Sequence, residues 1–247
     1  MGDRATPKSE HWLQRRVGDI VADHYTTAFV FKKYGIDFCC GGGRPLQWVC
    51  QKHHIDPDTL IAQLKQAMQG ESVDVDALAQ LPLSELIDHI VQHYHQYIRQ
   101  RAPIIQQFAE KVARVYGHAH PNTVKLLELW QQWSAHLMQH LEEEETHTFP
   151  FIKSALKAKS IEAAKLLEDW QAMHRRMIDQ HQEEGTYLER MRKLTDGYRP
   201  PDYACRTFRV LYQSLADFED QLLAHVHLEN NVLFPRFEAM LQRLSAS

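Results

Sequence analysis

Beyond Pro82, apolar residues recur at steps of three and four positions, which is the spacing of one face of an α-helix. This pattern predicts four long helices, roughly over residues 83–116, 122–152, 160–194 and 202–244. The breaks between them are only a few residues long, so neighbouring helices are expected to run antiparallel. The pattern therefore predicts that residues 83–247 form an up-down-up-down four-helix bundle.

The residues before the bundle have a different pattern. Short apolar groups predict brief helices around residues 17–21, 28–34, 46–52 and 59–68, which together would form a small N-terminal helical domain over residues 1–69. Residues 70–82 include Gly70, Ser72, Asp74 and Asp76 and are predicted to be a linker. Since no segment alternates apolar and polar residues as a half-buried strand does, we predict an all-α protein.

Charge and hydropathy narrow the range of partners. The 247 residues include 28 Lys and Arg against 32 Asp and Glu, a net charge of −4, without the basic block that nucleic-acid binding requires. No apolar run approaches the roughly 18 residues of a membrane-spanning helix, and the polar first residues lack the apolar core of a signal peptide. We expect a cytoplasmic protein that binds neither nucleic acid nor membrane, with its four cysteines as thiols.

The sixteen histidines are the unusual feature of the composition, and several of them continue an apolar helix face. In the second predicted bundle helix, the steps of four and three lead onto His140 and then Glu144. In the fourth, the same steps lead onto His225 and Glu229. The two frames match at an offset of 85 residues, and each reaches a Phe-Pro pair at the same distance after its glutamate. We interpret this match as an internal repeat in which two helices do the same job.

The repeated His and Glu positions predict a metal site. A spacing of four residues places both side chains on one helix face, with about 6 Å of rise between them. Such groups are costly inside a bundle unless they are paired or metal-bound. The first and third helices add His95 and His181 on their apolar faces, although a single histidine there is also typical of a hydrogen-bonded core residue. Four imidazoles divide as two per ion and each carboxylate can bridge both ions, so iron is favoured first, manganese second and zinc third.

Three motifs carry a resemblance to a known family. A ferritin-like site would need two Glu-x-x-His motifs, and the sequence has one, at residues 144–147. By contrast, Asp37-Phe-Cys-Cys-Gly-Gly, His140-x-x-x-Glu144 and the block from His225 to Arg236 resemble the repair-of-iron-centres (RIC) family, over about residues 17–237. Proteins of that family join a short cysteine-bearing domain to a hemerythrin-like di-iron bundle. The resemblance implies a non-haem di-iron centre, which an oxo group can bridge, with the ligands His95, His140, Glu144, His181, His225 and Glu229.

Two positions near the third-helix ligand are of interest within this resemblance. Gln180 stands where some relatives would carry a carboxylate, which changes the charge expected near His181. Gly185 stands one turn after His181, where oxygen-carrying hemerythrins place a further histidine. The missing side chain either leaves a coordination position open, which Glu184 could fill, or serves close helix packing.

The function implied by the resemblance is the supply of iron for rebuilding iron–sulfur clusters damaged by nitric oxide or oxidative stress. Its partners would be damaged or apo iron–sulfur proteins, nitric oxide or oxygen as small ligands, and a second copy of the chain if it forms a homodimer. One alternative is an enzyme that reduces nitric oxide to nitrous oxide at the same centre. Another is an oxygen-binding or oxygen-sensing hemerythrin, against which the Cys-Cys motif and Gly185 weigh.

Cys39 and Cys40 have two interpretations. As functional residues they would form a thiol relay that receives iron or nitric oxide, or a redox-labile bond. As structural residues they would be two small side chains before the glycine turn at residues 41–43.

Overall fold

The computed structural model describes residues 8–24, 27–38, 41–68, 78–157 and 160–246. Within these ranges the secondary structure is helical, and the only β-type pairing is an isolated bridge between Arg16 and Pro45. The predicted all-α class is therefore confirmed. None of the described helices combines the length and the hydropathy needed to cross a membrane.

The first of two compact units contains the described residues up to Pro82 together with His227–Pro235. Its N-terminal helices are α1 (Lys8–Gln14), α2 (Val17–Asp23), α3 (Thr27–Lys33), α4 (Leu46–His53) and α5 (Pro57–Met68). α2 to α5 lie where the apolar groups predict short helices. α1 and α2 are separate helices because Arg16 is extended between them and pairs with Pro45.

The glycine-rich turn before α4 packs against the start of α2. The Gly18 N–H donates to the Gly42 carbonyl at 2.8 Å. A Cβ atom on Gly42 would lie 2.1 Å from the carbonyl oxygen of Phe38, so a side chain at this position would clash with backbone. Asp37 Oδ2 accepts a hydrogen bond from the Gly41 N–H at 2.9 Å, which fixes the turn from its other side.

Of the three cysteines in this part of the sequence, the structure describes Cys50. Cys39 and Cys40 lie outside the described residues, so the thiol relay stays a prediction. Cys50 is 2% exposed. Burial, and then the nearby charge of Asp56, raises the pKa of the Cys50 thiol, which keeps it protonated near pH 7.

His227 is a buried histidine of the first unit. Its ring meets that of Phe38 edge-on, with centroids 6.2 Å apart, and Asn231 Nδ2 lies 3.1 Å from its Nδ1. Burial lowers the pKa of His227 to about 4, so the ring is neutral near pH 7.

The second unit contains the described residues of Leu83–Val226 and Arg236–Ser247. Its first long helix is continuous from α6 (Leu83–His89) through a π-helical turn (Ile90–His95) to α7 (Gln96–Tyr116). The second runs from α8 (Asn122–Glu143) through a π-helical turn (Glu144–Thr148) to α9 (Phe149–Ala155). The third is α10 (Ser160–Leu194). The fourth long helix runs from α11 (Arg206–Leu228) through a π-helical turn (Glu229–Leu233) to α12 (Phe234–Ser245), and its residues 227–235 belong to the first unit. α7 packs along α8, and α8 packs along α10.

The helix boundaries follow the sequence pattern except at the start of the fourth long helix. α11 begins at Arg206 instead of near residue 202, because the chain first makes a turn in which the Ala204 N–H donates to the Pro201 carbonyl at 2.9 Å. The up-down-up-down order of the helices stays a prediction.

Aromatic side chains fill the core of the second unit. Trp130, Trp133 and Phe218 are at most 1% exposed, and their ring centroids lie 5.1–5.6 Å apart. Leu126 and Leu137, on the same predicted face of α8, are equally buried. Because truncating one such side chain costs about 3–5 kcal/mol, this face supplies much of the packing that holds the helices together.

A buried ion pair holds the loop after α10. Glu219 is 0% exposed and accepts hydrogen bonds from Arg192 Nε at 2.7 Å and from the Tyr198 hydroxyl at 2.6 Å. Tyr198 follows Gly197, and both have left-handed backbone, with φ of 61° and 68°. Burial and then the neighbouring carboxylate raise the pKa of Tyr198, so the phenol remains a donor.

The change Tyr198→Phe removes one donor from the buried Glu219 carboxylate. We expect the free energy of unfolding to fall by about 1–3 kcal/mol, because the acceptor stays buried. Urea denaturation measures this change. The matched control is Tyr203→Phe, at a ring that is 50% exposed, where the effect should be below about 0.5 kcal/mol. Equal losses in the two variants would contradict this role for Tyr198.

Candidate metal centre

Three of the six predicted ligands lie in π-helical turns of the long helices. His95 ends the first such turn, and Glu144 and Glu229 begin the second and third. In the second, the Phe149 N–H donates to the Glu144 carbonyl, and in the third the Phe234 N–H donates to the Glu229 carbonyl. A π-helical turn inserts one residue into an α-helix and is frequent at functional sites.

The Phe-Pro pairs account for two of these turns. Pro150 and Pro235 lack an N–H, and in a regular α-helix the proline ring would clash with the carbonyl four residues earlier. A wider turn before each proline relieves that clash. The internal repeat seen in the sequence is therefore also present in the backbone, at the same offset of 85 residues.

The six predicted ligands are all buried, although each is a polar or ionisable side chain. Their exposed fractions are 0–1%. The imidazoles form two facing pairs, with His95 Nε2 3.0 Å from His225 Nε2 and His181 Nε2 3.2 Å from His140 Nε2. Two nitrogens that bind one ion at about 2.1 Å and at right angles would be about 3 Å apart, so each pair fits a single ion.

Glu144 lies between the two imidazole pairs. Its Oε2 is 3.4 Å from His95 Nε2, and its Oε1 is 3.5 Å from His140 Nε2. Two groups of donor atoms, each within 4.8 Å of one another, result: His95, Glu144, His225 and Glu229 form one, and His140, Glu144, His181 and Glu229 form the other. Both glutamates belong to both groups, which is the arrangement of carboxylates that bridge two ions.

The donor chemistry fits iron. Imidazole nitrogen and carboxylate oxygen are both accepted by iron, manganese and zinc, and thiolate, which would favour softer metals, is absent from both groups. In His95 and His140, Nε2 faces the partner imidazole while Nδ1 is held by another side chain. The two places where an ion would bind are named after their imidazole pairs, the His95–His225 position and the His140–His181 position.

Behind the first position, His95 Nδ1 donates to Glu145 Oε1 at 2.7 Å. Arg99 Nη1 also lies 2.7 Å from this oxygen. Burial opposes ionisation of Glu145, but the hydrogen bonds from His95 and Arg99 outweigh it and lower the pKa of the carboxyl. His95 is therefore backed by an ionised carboxylate.

Behind the second position, His140 Nδ1 donates to an amide instead. Gln180 Oε1 accepts at 3.2 Å, and Gln180 Nε2 donates to Glu143 Oε2 at 3.0 Å. Glu143 is in turn ion-paired with Arg176 at 2.6 Å. An amide instead of a carboxylate at residue 180 thus changes the hydrogen-bond partner of His140, on the neighbouring helix. The sequence had suggested a change of charge near His181.

Three carboxylates near the centre were not among the predicted ligands. Glu143 and Glu145 flank Glu144, and both reach groups behind the imidazoles. Glu184 is 2% exposed, and its Oε1 lies 3.7 Å from His140 Nε2. Glu184 follows His181 by three residues and so lies on the same helix face, which is the sequence feature that could have identified it. Neither donor group includes Glu184.

Two other histidines lie away from the donor groups. His174 stacks on Trp170, with centroids 5.1 Å apart, and its Nδ1 is 3.5 Å from Glu238. His147 is exposed, and its Nδ1 lies 2.8 Å from the Thr146 hydroxyl. Neither belongs to the two groups of donor atoms.

Two known protein domains match the chain. Residues 13–80 match a domain described as ScdA_N, a domain of unknown function (DUF542). Residues 86–237 match the hemerythrin HHE cation binding domain. The second match spans more than half of the chain and includes every residue of the two donor groups.

Several relatives resemble the chain over nearly its full length. Iron-sulfur cluster repair protein ScdA of Staphylococcus haemolyticus is 32% identical over 90% of this chain and 96% of its own. Iron-sulfur cluster repair protein YtfE of Dickeya chrysanthemi is 31% identical over 92% of this chain and 97% of its own. YtfE of Yersinia pseudotuberculosis is 34% identical over 84% and 89%. The resemblance suggested by the Cys-Cys-Gly-Gly and His-x-x-x-Glu motifs is confirmed, and the chain belongs to the family of iron–sulfur cluster repair proteins with a hemerythrin domain.

Proposed function

We propose that the protein holds two iron ions in its bundle and supplies iron to damaged or apo iron–sulfur proteins. The observation that carries this proposal is the pair of buried donor groups that share Glu144 and Glu229. The proposal is supported by the relatives, which are named for iron–sulfur cluster repair.

Each residue of the centre has a definite part in this proposal. His95 and His225 would bind one ion, and His140 and His181 the other. Glu144 and Glu229 would bind both, so that neither ion is held without the bridging carboxylates. Iron bound in this way is ferrous or ferric cargo kept apart from bulk water, since the donors are buried. The cytoplasm is the proposed location because the clients would be found there.

The proposed transfer is tested with reduced, iron-loaded protein under anaerobic conditions. The protein is incubated with an apo iron–sulfur protein and sulfide, and cluster absorbance is followed together with the iron that remains bound. We expect clusters to form in step with iron loss from the donor. A parallel incubation with nitric oxide and an excess of a chemical reductant measures nitrous oxide. Repeated formation of this gas without iron loss, together with no cluster formation, would support the enzymatic alternative and contradict the proposal.

Both bridging glutamates should be needed for both ions. The full-length protein is expected to bind about two iron ions, because four imidazoles and two bridging carboxylates suit a pair. Glu144→Ala and Glu229→Ala should each lower the content to less than about one ion, since each change removes a ligand from both positions. Iron analysis and the optical spectrum measure this. Glu142→Ala, at an exposed neighbour, is the control, and full iron in either bridging variant would contradict the assignment.

The cysteine pair should matter for repair and not for iron storage. In the double variant Cys39→Ser, Cys40→Ser we expect unchanged iron content, because the six donor residues are histidines and glutamates that lie within the hemerythrin match, outside the segment that carries the cysteine pair. We expect a slower rebuilding of clusters, because the thiols would no longer relay iron. Cys205→Ser is the control, as Cys205 is an exposed free thiol. Equal rebuilding rates in all three proteins would favour the structural interpretation of the pair.

A further inference from the structure

The two positions of the centre differ in what lies behind one imidazole of each, His95 and His140. At the His95–His225 position, the group that accepts from His95 Nδ1 is the carboxylate of Glu145, at 2.7 Å. At the His140–His181 position, the group that accepts from His140 Nδ1 is the amide of Gln180, at 3.2 Å. We infer that the two iron ions are held unequally, that the ion at the His140–His181 position is released first, and that Glu145 and Gln180 are the positioning residues that set this order. The inference rests on the proposed function, in which the iron is cargo.

The physical reason lies in the strength of imidazole as a ligand. A ring that donates its second N–H to a carboxylate becomes more electron-rich and binds a metal more strongly. Hydrogen bonds to an ionised acceptor are also shorter and about twice as strong as those between neutral groups. The 2.7 Å and 3.2 Å distances follow this order. An amide carbonyl carries no net charge, so it supports His140 less than Glu145 supports His95.

The networks behind His95 and His140 have similar outer ends, and they differ at the group that contacts the ring. Each network ends in a carboxylate paired with an arginine: Glu145 with Arg99, and Glu143 with Arg176. The glutamate side chains are 29% and 22% exposed, so access of water does not distinguish them. Behind His140, however, Gln180 stands between the ring and the carboxylate. The negative charge is therefore one side chain further from this imidazole, and its Coulomb effect is weaker.

Glu184, like the bridging Glu144, is a carboxylate near the Nε2 edge of His140, opposite the edge that faces Gln180. Its Oε1 lies 3.7 Å from Nε2, the atom of His140 in the donor group. Glu184 belongs to neither group, and the inference concerns the residues behind the rings, whose effect is measured at fixed Glu184. Glu184 is unchanged in every variant below, so its contribution cancels in the comparison.

The test exchanges the amide and the carboxylate without changing net charge. In the double variant Gln180→Glu, Glu143→Gln, the carboxylate directly contacts His140 and the amide stands behind it. Fully iron-loaded proteins are mixed with an excess of a ferrous chelator, and iron release is followed by absorbance. For the parent protein we expect two phases of about equal amplitude. For the double variant we expect the fast phase to slow by about 10-fold or more, since groups behind metal-bound imidazoles typically change affinity by 10–100-fold.

A second variant tests the other position independently. Glu145→Gln replaces the carboxylate behind His95 by an amide, so the slow phase should accelerate by about 10-fold or more towards the fast one. Glu142→Gln, which removes an exposed carboxylate from the same acidic run, should leave both phases unchanged. Mössbauer spectra of ⁵⁷Fe-loaded protein supply a readout apart from release. Each variant should shift one of two iron signals and leave the other in place.

Several outcomes would overturn the inference. A single release phase from the fully loaded parent would contradict unequal binding. An unchanged fast phase in the double variant, at full iron content, would contradict the role of Gln180. If the double variant fails to load iron, an unchanged slow phase in Glu145→Gln is by itself sufficient to overturn the inference. Cluster rebuilding with simultaneous release of both ions would contradict this inference and leave the proposed function standing. Two-phase release without any cluster rebuilding would contradict the proposed function and leave the inference standing.

Discussion

The burial of ionisable groups is the constraint on which the rest of the bundle depends. Four imidazoles and two carboxylates lie where water does not reach them. An ionised carboxylate in such a place costs several kcal/mol unless donors or positive charge face it. On α8 the same helix face carries Trp130 and Trp133 nearer its start and His140 at its end. Apolar packing on that face holds the helices together, and it also keeps the donor atoms close to one another.

A second set of side chains lies behind the donor residues His95 and His140 and orients their rings. His95 and His140 each turn Nε2 towards the partner imidazole because Nδ1 is held from behind. The groups that hold them reach outward to arginines near the surface, Arg99 and Arg176. A buried donor set is thereby tied to side chains in contact with solvent. Changes at half-exposed positions can alter the binding of an ion that solvent does not touch.

Much of the fold and of the donor set could be predicted from the sequence, because both follow helix periodicity. His140 and Glu144 continue the face of Leu126 and Trp130, so burial of that face brings them into the core. Gln180 and Glu145 were harder to place. Their contacts run between neighbouring helices and depend on side-chain conformations that periodicity within one helix does not determine. The π-helical turns were likewise not predicted, although the Phe-Pro pairs that explain two of them are visible in the sequence.

The 85-residue repeat shows that a short pattern of residues is enough to place most of the donors of this centre. One frame of imidazole, carboxylate, phenylalanine and proline, used twice, specifies four of the six donors and two of the three π-helical turns. Copies of one frame would by themselves make a symmetric centre. The two copies differ immediately after the glutamate, where Glu145 of the first corresponds to Asn230 of the second. A repeated frame can therefore supply both positions of the centre, while the residues beside the donors make one position differ from the other.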